Sequence, residues 1–329
     1  MFLRNEKLGD KAAMSRYLAT RGLMLVFLEL TVLRLSWTFN FDYAHYMLAG
    51  VIWAIGWCMV LMAALIWLPT RVVGIIGVVI IFGHNIADPF LPRLYQTLGQ
   101  GSFAWFWQIL YLGGGIQLGA HGPTLAILYV MVPWIGVMAA GYWFGCVLRM
   151  RPDRRDRICY ILGFAAILAF LVLRGWNLYG NPTHWGGPNS RLSPLLAFLN
   201  TTKYPASFQF LLMTLGPAFV LAPLVERLRG FAARVLTLFG RVPFFYYLLH
   251  IPLIHAAAIV VSIARTGHVD PWLFANHPMF NPPPPPGYTW SLGLLYAVWL
   301  AVVVMLYFAC GWYAGFGKRR SDLSDSSKR

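Results

Sequence analysis

Residues 240–255 read GRVPFFYYLLHIPLIH and open an apolar run that continues to about residue 264. A helix rising about 1.5 Å per residue crosses a hydrocarbon core of about 30 Å in a run of that length. The run carries His250 and His255 on either side of Pro252. An imidazole in hydrocarbon loses hydration that apolar neighbours cannot replace, so each histidine needs a partner or a wet cavity and marks a candidate functional site. Counted from Val242, His250 lies about 12 Å and His255 about 20 Å deep. Pro252 has no N–H and releases the Leu248 carbonyl, so a bend beside His250 is expected.

Working outward, 59% of the 329 residues are hydrophobic and 11% are charged, against about a quarter charged in soluble domains. Apolar runs long enough or nearly long enough to span recur near residues 21–38, 48–68, 72–88, 124–147, 158–175, 206–225, 242–264 and 289–312. The predicted fold is all-α, a polytopic integral membrane protein of about eight transmembrane helices. One membrane domain over residues 21–312 is expected, with a basic cytoplasmic segment at 1–20 and a basic cytoplasmic tail at 313–329.

The formal charge is +15, and the distribution of the 26 Lys and Arg residues decides its meaning. With both termini cytoplasmic, 20 fall on the cytoplasmic side, the outer segments hold only Arg93, Arg191, Lys203 and Arg265, and Arg34 and Arg174 lie inside or at the edge of helices. The positive-inside rule fixes that orientation, and nucleic acid is not an expected partner. Cys58, Cys146, Cys159 and Cys310 avoid the outer loops and lack zinc-site spacing, so neither disulfides nor a metal are expected. The first apolar run is too long for a signal-peptide core and lacks a small-residue cleavage site, so it reads as a retained helix.

That first run, RGLMLVFLELTVLRLSWT, contains Glu29 and Arg34. They lie about 12 Å and 20 Å deep and are about 140° apart around the helix, so each faces a different neighbour. The depths match those of His250 and His255, which makes Glu29 the expected partner of His250, an acid to orient and charge it. Beyond the helix come Trp37 and the outer-loop residues Asn40 and Asp42. The third run ends GHNIAD, placing His84, Asn85 and Asp88 at its outer end, either facing a cavity or solvated as a helix terminus.

Residues 89–123 form a long outer segment with Gly113, Gly114 and Gly115, read as a cover over an outward-facing cleft and not as a phosphate loop, since no Lys-Ser/Thr follows. The cytoplasmic turn RMRPDRRDR faces lipid headgroups or meets donor phosphates. The outer loop GWNLYGNPTHWGGPNSR reads as an ordinary loop or a sugar-contacting one. Gly216, Pro217 and Pro223 predict a kinked sixth span, and residues 226–239 a basic amphipathic lead-in at the cytoplasmic surface. A stiff PPPPP spacer at 282–286 precedes the last span.

RGLMLVFLELTVLRLSWTFN, GHN and GRVPFFYYLLHIPLIH together resemble the bacterial branch of the heparan-α-glucosaminide N-acetyltransferase-like membrane proteins, over nearly the whole chain and in the same order. The resemblance implies acyl transfer, with acetyl-CoA or another acyl-CoA donor arriving from the cytoplasm and an acceptor such as an amino sugar on the outer side. Members of that family usually begin with a further helix carrying an Arg-Gly motif and an Asp-His or similar site, then a second helix. Here only MFLRNEKLGD precedes the segment beginning near Lys11, so the usual family histidine has no counterpart. The expectation is an N-terminally shortened sequence or an inactive or repurposed relative.

Catalytic roles are accordingly assigned to His250, Glu29 and His84, and substrate contacts to Arg34, Asn85, Asp88, His255 and Asp42. The expected partners are the lipid bilayer and a small-molecule or glycan-like acceptor, in the inner or plasma membrane of a bacterial cell. Two other readings stay open. In a transporter or flippase-like protein the same buried groups would line a substrate path; in a non-catalytic protein they would hold helices together.

Overall fold

The computed structural model describes residues 9–186, 192–276, 285 and 288–326, with side chains as far as residue 315. The first eight residues, Arg191, the polyproline run apart from Pro285, and the charged end of the tail lie outside the described residues. Among the described residues six helices are long and apolar enough to cross a membrane: Thr70–Leu98, Met131–Arg149, Pro152–Gly175, Phe208–Glu226, Pro243–Thr266 and Leu292–Gly315. The chain is a helical multi-pass membrane protein.

The first two apolar runs form helices outside those six. Helix α1 (Lys11–Leu28) runs into a π-helical turn at Glu29–Leu33 and then α2 (Arg34–Thr38). Helix α3 (Val51–Leu65) has 15 residues, about 22 Å and short of a hydrocarbon core. Beside the helices that dominate the chain, strands β1 (Tyr46–Ala49), β2 (Gly114–Gln117) and β3 (Thr124–Ile127) form a small sheet in the order β1-β3-β2. β1 pairs parallel and β2 antiparallel with β3. Hydropathy placed helices at 48 and 124, but a short apolar run does not distinguish strand from helix. Gly113 and Gly114, at φ +71° and +99°, make the turn into β2, a backbone that a Cβ would strain.

Contacts divide the chain into two compact units. The first comprises Met1–Leu30 and Ala44–Glu226, the second Thr31–Tyr43 and Arg227–Arg329. The first unit is built from helix pairs: α1 with α3, α4 (Thr70–Gly83) with α7 (Met131–Phe144), and α8 (Pro152–Gly175) with α10 (Phe208–Glu226); α5 (Leu91–Leu98), α6 (Ala104–Trp107) and α9 (Pro194–Leu199) are short. Each pair crosses on glycine. A Cβ on Gly22 would stand 2.5 Å from the Gly56 carbonyl oxygen, and one on Gly56 2.6 Å from that of Gly22. A Cβ on Gly77 would stand 2.7 Å from the Gly136 carbonyl oxygen, and one on Gly163 2.9 Å from that of Gly216. Without a hydrophobic drive between helices in lipid, such close backbone approach is what holds them together. The core around the first two pairs includes Met14, Leu18, Cys58, Met62, Val73 and Ala139.

The second unit contains α11 (Gly230–Arg241), α12 (Pro243–Thr266), α13 (Leu292–Ser326) and the segment 31–43. Proline at the first position starts α12, and Gly267 at φ +76° ends it, its N–H bonding the Ile263 carbonyl at 2.8 Å. Phe245 stacks on Tyr313 with centroids 4.1 Å apart. Phe239 of α11 sits edge-on to Tyr246 and Tyr307, tying the three helices together.

Candidate functional site

Both histidines of α12 open onto one cavity of about 440 Å³ in the second unit. From α12 come His250, Ile254, His255 and Ala258, an arc of about 140° at 100° per residue. Trp37, Trp272, Tyr288 and Trp290 form much of the remaining wall.

Each imidazole is oriented by a carbonyl. His250 Nδ1 lies 2.6 Å from the Tyr247 oxygen of its own helix, with the Tyr246 and Tyr247 rings alongside. His255 Nδ1 lies 3.0 Å from the Trp37 oxygen. A carbonyl only accepts, so both rings carry their proton on Nδ1, and when neutral present the Nε2 lone pair. His255 is 8% exposed and stacks on Phe39 at 4.0 Å and 9°. Phe39 ends α2 at φ +46°, a left-handed conformation uncommon for a bulky residue. The stack and the turn around Phe39 hold it there.

Arg34, 0% exposed, organises that turn. Its guanidinium donates to Thr38 Oγ1 at 3.2 Å, to the carbonyls of Asn40 and Asp42, the latter at 2.7 Å, and to Asn276 Oδ1 at 3.2 Å. It also lies 4.6 Å from the centre of the Tyr43 ring. Asn276 donates in turn to Asp42 Oδ2 at 2.8 Å, and Asn40 Nδ2 to the Phe274 carbonyl at 2.6 Å. Arg34 and Asp42 therefore fix the segment that carries Trp272, together with Trp37. Asp270 caps the single 3-10 turn Pro271–Phe274 by accepting from the Trp272 N–H at 2.9 Å. Burial, reinforced by Asp270, pushes the Tyr288 phenol above its ordinary value, so it stays a donor at the cavity wall.

Glu29 sits elsewhere, in the first unit. Its Oε2 accepts from the backbone N–H groups of Ile52 at 2.8 Å and Trp53 at 3.2 Å. Those are the second and third residues of α3, whose N-cap, Gly50, has no side chain to offer. Glu29 supplies the missing cap from a neighbouring helix. The expected pairing of Glu29 with His250 therefore gives way to separate partners in separate units. Matching depths do not imply matching directions, and backbone amides leave no mark in the sequence.

His84, Asn85 and Asp88 form a second cluster, also in the first unit. His84 Nδ1 faces the Ile80 and Ile81 carbonyls at 3.1 and 3.0 Å, and Nε2 faces that of Ala206 at 3.0 Å. Asn85 donates to Asp88 Oδ2 at 2.7 Å and caps α10 by accepting from the Phe208 N–H at 2.7 Å. Tyr111 donates to the His84 carbonyl and to Asp88 Oδ1 at 2.6 and 3.0 Å. Burial and the Asp88 carboxylate push the Tyr111 phenol up, keeping it a donor. Arg174, also buried, spends its donors on the carbonyls of Ala197, Phe198, Asn200 and Thr183.

The structure thus brings His250, His255, Arg34 and Asp42 into one unit and leaves Glu29, His84, Asn85 and Asp88 in the other. Sequence reasoning did not single out Trp272, Tyr288, Trp290 or Asn276. Their only signal was an aromatic-rich stretch next to the last span. No protein-family model matches the chain, and no curated protein or solved structure matches it.

Proposed function

We propose that the chain is a membrane acyltransferase-like protein whose second-unit cavity receives a small, glycan-like acceptor beside His250 and His255. One observation carries this reading: two imidazoles, each fixed through Nδ1, share a cavity walled by Trp37, Trp272, Tyr288 and Trp290. Indole rings suit the apolar face of a sugar ring, and a few convergent polar groups in an apolar pocket are the usual form of a small-molecule site. A neutral imidazole with Nδ1–H held by a carbonyl is a general base at Nε2.

His250, half-buried and, among the described residues, bonded only within its own helix, is the candidate base. It takes the proton of the acceptor amine or hydroxyl as that atom attacks an acyl carbonyl. The carbon–sulfur bond then breaks, and the imidazolium returns the proton to the thiolate. An acyl-CoA supplies the activated acyl group when bound. Arg151, Arg154 and Arg157 are exposed at the start of α8, in the first unit, and guanidinium groups suit phosphate. The distribution of Lys and Arg supports a plasma-membrane orientation with those arginines in the cytoplasm and the Trp272 loop outside.

Titrating acetyl-CoA into the purified protein by calorimetry tests the reading. Saturable heat that survives His250→Ala, together with acetyl transfer to an amino sugar that does not, is the expected pair of results. Absence of acetyl-CoA binding would remove the transferase and leave the transporter reading.

A further inference from the structure

We propose that α11 is a docking surface for anionic phospholipid, with the phosphate seated among Arg229, Arg234 and Arg241. These three side chains line a concavity of about 570 Å³ together with Gly230, Ala233, Thr237 and Leu238, and among the described residues no carboxylate contributes to it. Among the described residues none of the three arginines makes an ion pair or a hydrogen bond. This contrasts with Arg155, held by Asp156 and Glu226, and with Arg34 and Arg174, which spend their donors on carbonyls. Three cations collected on one open surface, with no counter-charge among the described residues, attract it from outside.

The helix itself says which anion. Arg234 and Arg241, seven residues apart, fall within about 20° of each other around the axis. The opposite half of the helix carries Ala232, Val235, Leu236 and Phe239, while Phe231 and Leu238 flank the arginines. No residue of α11 is buried, and Phe231 and Leu236 are 67% and 48% exposed. The 12-residue helix is about 18 Å long, too short to span. It lies in sequence between two helices that do span, Phe208–Glu226 and Pro243–Thr266, which places it at a membrane surface. An arginine face, an exposed Phe and Leu, and a position at the headgroup level describe a helix lying in the interface, apolar side in the acyl boundary and cations on the phosphates. A soluble phosphate would satisfy the arginines and leave Phe231 and Leu236 without a role.

The test uses the full chain purified in a neutral detergent and titrated with phosphatidylglycerol or phosphatidylcholine of matched acyl chains, bound lipids being counted by native mass spectrometry. The wild type is expected to prefer phosphatidylglycerol about tenfold, and Arg229→Gln/Arg234→Gln/Arg241→Gln to lower the preference to within about twofold. Arg151→Gln/Arg154→Gln/Arg157→Gln removes equal charge elsewhere and is expected to keep the preference. Retention of the preference by the α11 triple variant, or its equal loss in the α8 variant, overturns the proposal. So does displacement of phosphatidylglycerol by millimolar inorganic phosphate, which would make the groove a soluble-anion site. If the triple variant does not fold, Arg234→Gln alone is expected to cost about fivefold in phosphatidylglycerol affinity, and no change in that affinity overturns the proposal equally.

Discussion

The carboxylate of Glu29 accepts the backbone N–H of Ile52 at 2.8 Å, so a buried acid on one helix serves as the N-cap of another. The role requires an acceptor oxygen more than it requires a charge. Glu29→Gln keeps an acceptor and is expected to hold stability within about 1 kcal/mol, whereas Glu29→Leu strands two buried donors and loses roughly 1–3 kcal/mol. Thermal unfolding followed by tryptophan fluorescence separates the two. Equal losses would show that the charge itself is needed, returning Glu29 to consideration as a functional acid.

His250 and His255 should part company on substitution. Among the described residues His250 bonds only to its own helix, so His250→Ala is expected to leave the melting temperature nearly unchanged while lowering acyl transfer by about 10²–10⁴-fold. His255→Phe keeps the stack on Phe39 but loses the bond to the Trp37 carbonyl, at a cost of roughly 1 kcal/mol. An active His250→Ala variant would show that the cavity histidine is not the base.

Arg34 positions the cavity wall without lining the cavity. Lysine carries the charge but lacks the planar fork that reaches Thr38, Asn40, Asp42 and Asn276 together. Arg34→Lys is expected to cost about 2–3 kcal/mol in stability and to raise KM for the acceptor more than it lowers kcat. Asn276→Ala should reproduce the KM effect in milder form. A pure kcat effect in both variants would argue for direct participation of the guanidinium in chemistry.

The glycine crossings make a prediction independent of function. Gly56→Ala forces a Cβ to within 2.6 Å of the Gly22 carbonyl oxygen, where only backbone can yield. A loss of about 1–3 kcal/mol is expected. Gly141 also lies in a helix but has nothing within 4 Å of its would-be Cβ. Gly141→Ala is expected to be neutral or stabilising by about 0.5–1 kcal/mol. Comparable melting shifts for the two substitutions would contradict the close crossing.

The membrane class and most of the spanning helices were legible in the sequence, because hydrocarbon demands long apolar runs and the Lys and Arg residues sort between them. His250 and His255 were equally legible, since an imidazole in such a run stands out whatever it touches. The partners were not. Depth along a helix is one coordinate, and a contact also needs direction around the axis and the position of a neighbour. Glu29, Asn85 and Arg174 meet backbone amides and carbonyls at helix ends, and every residue carries those groups, so no residue type betrays them. Only the tertiary structure decided that α3 begins beside Glu29 and that Trp37, Trp272 and Trp290 close around the two histidines, because those outcomes depend on where the chain breaks its helices and how the pieces pack.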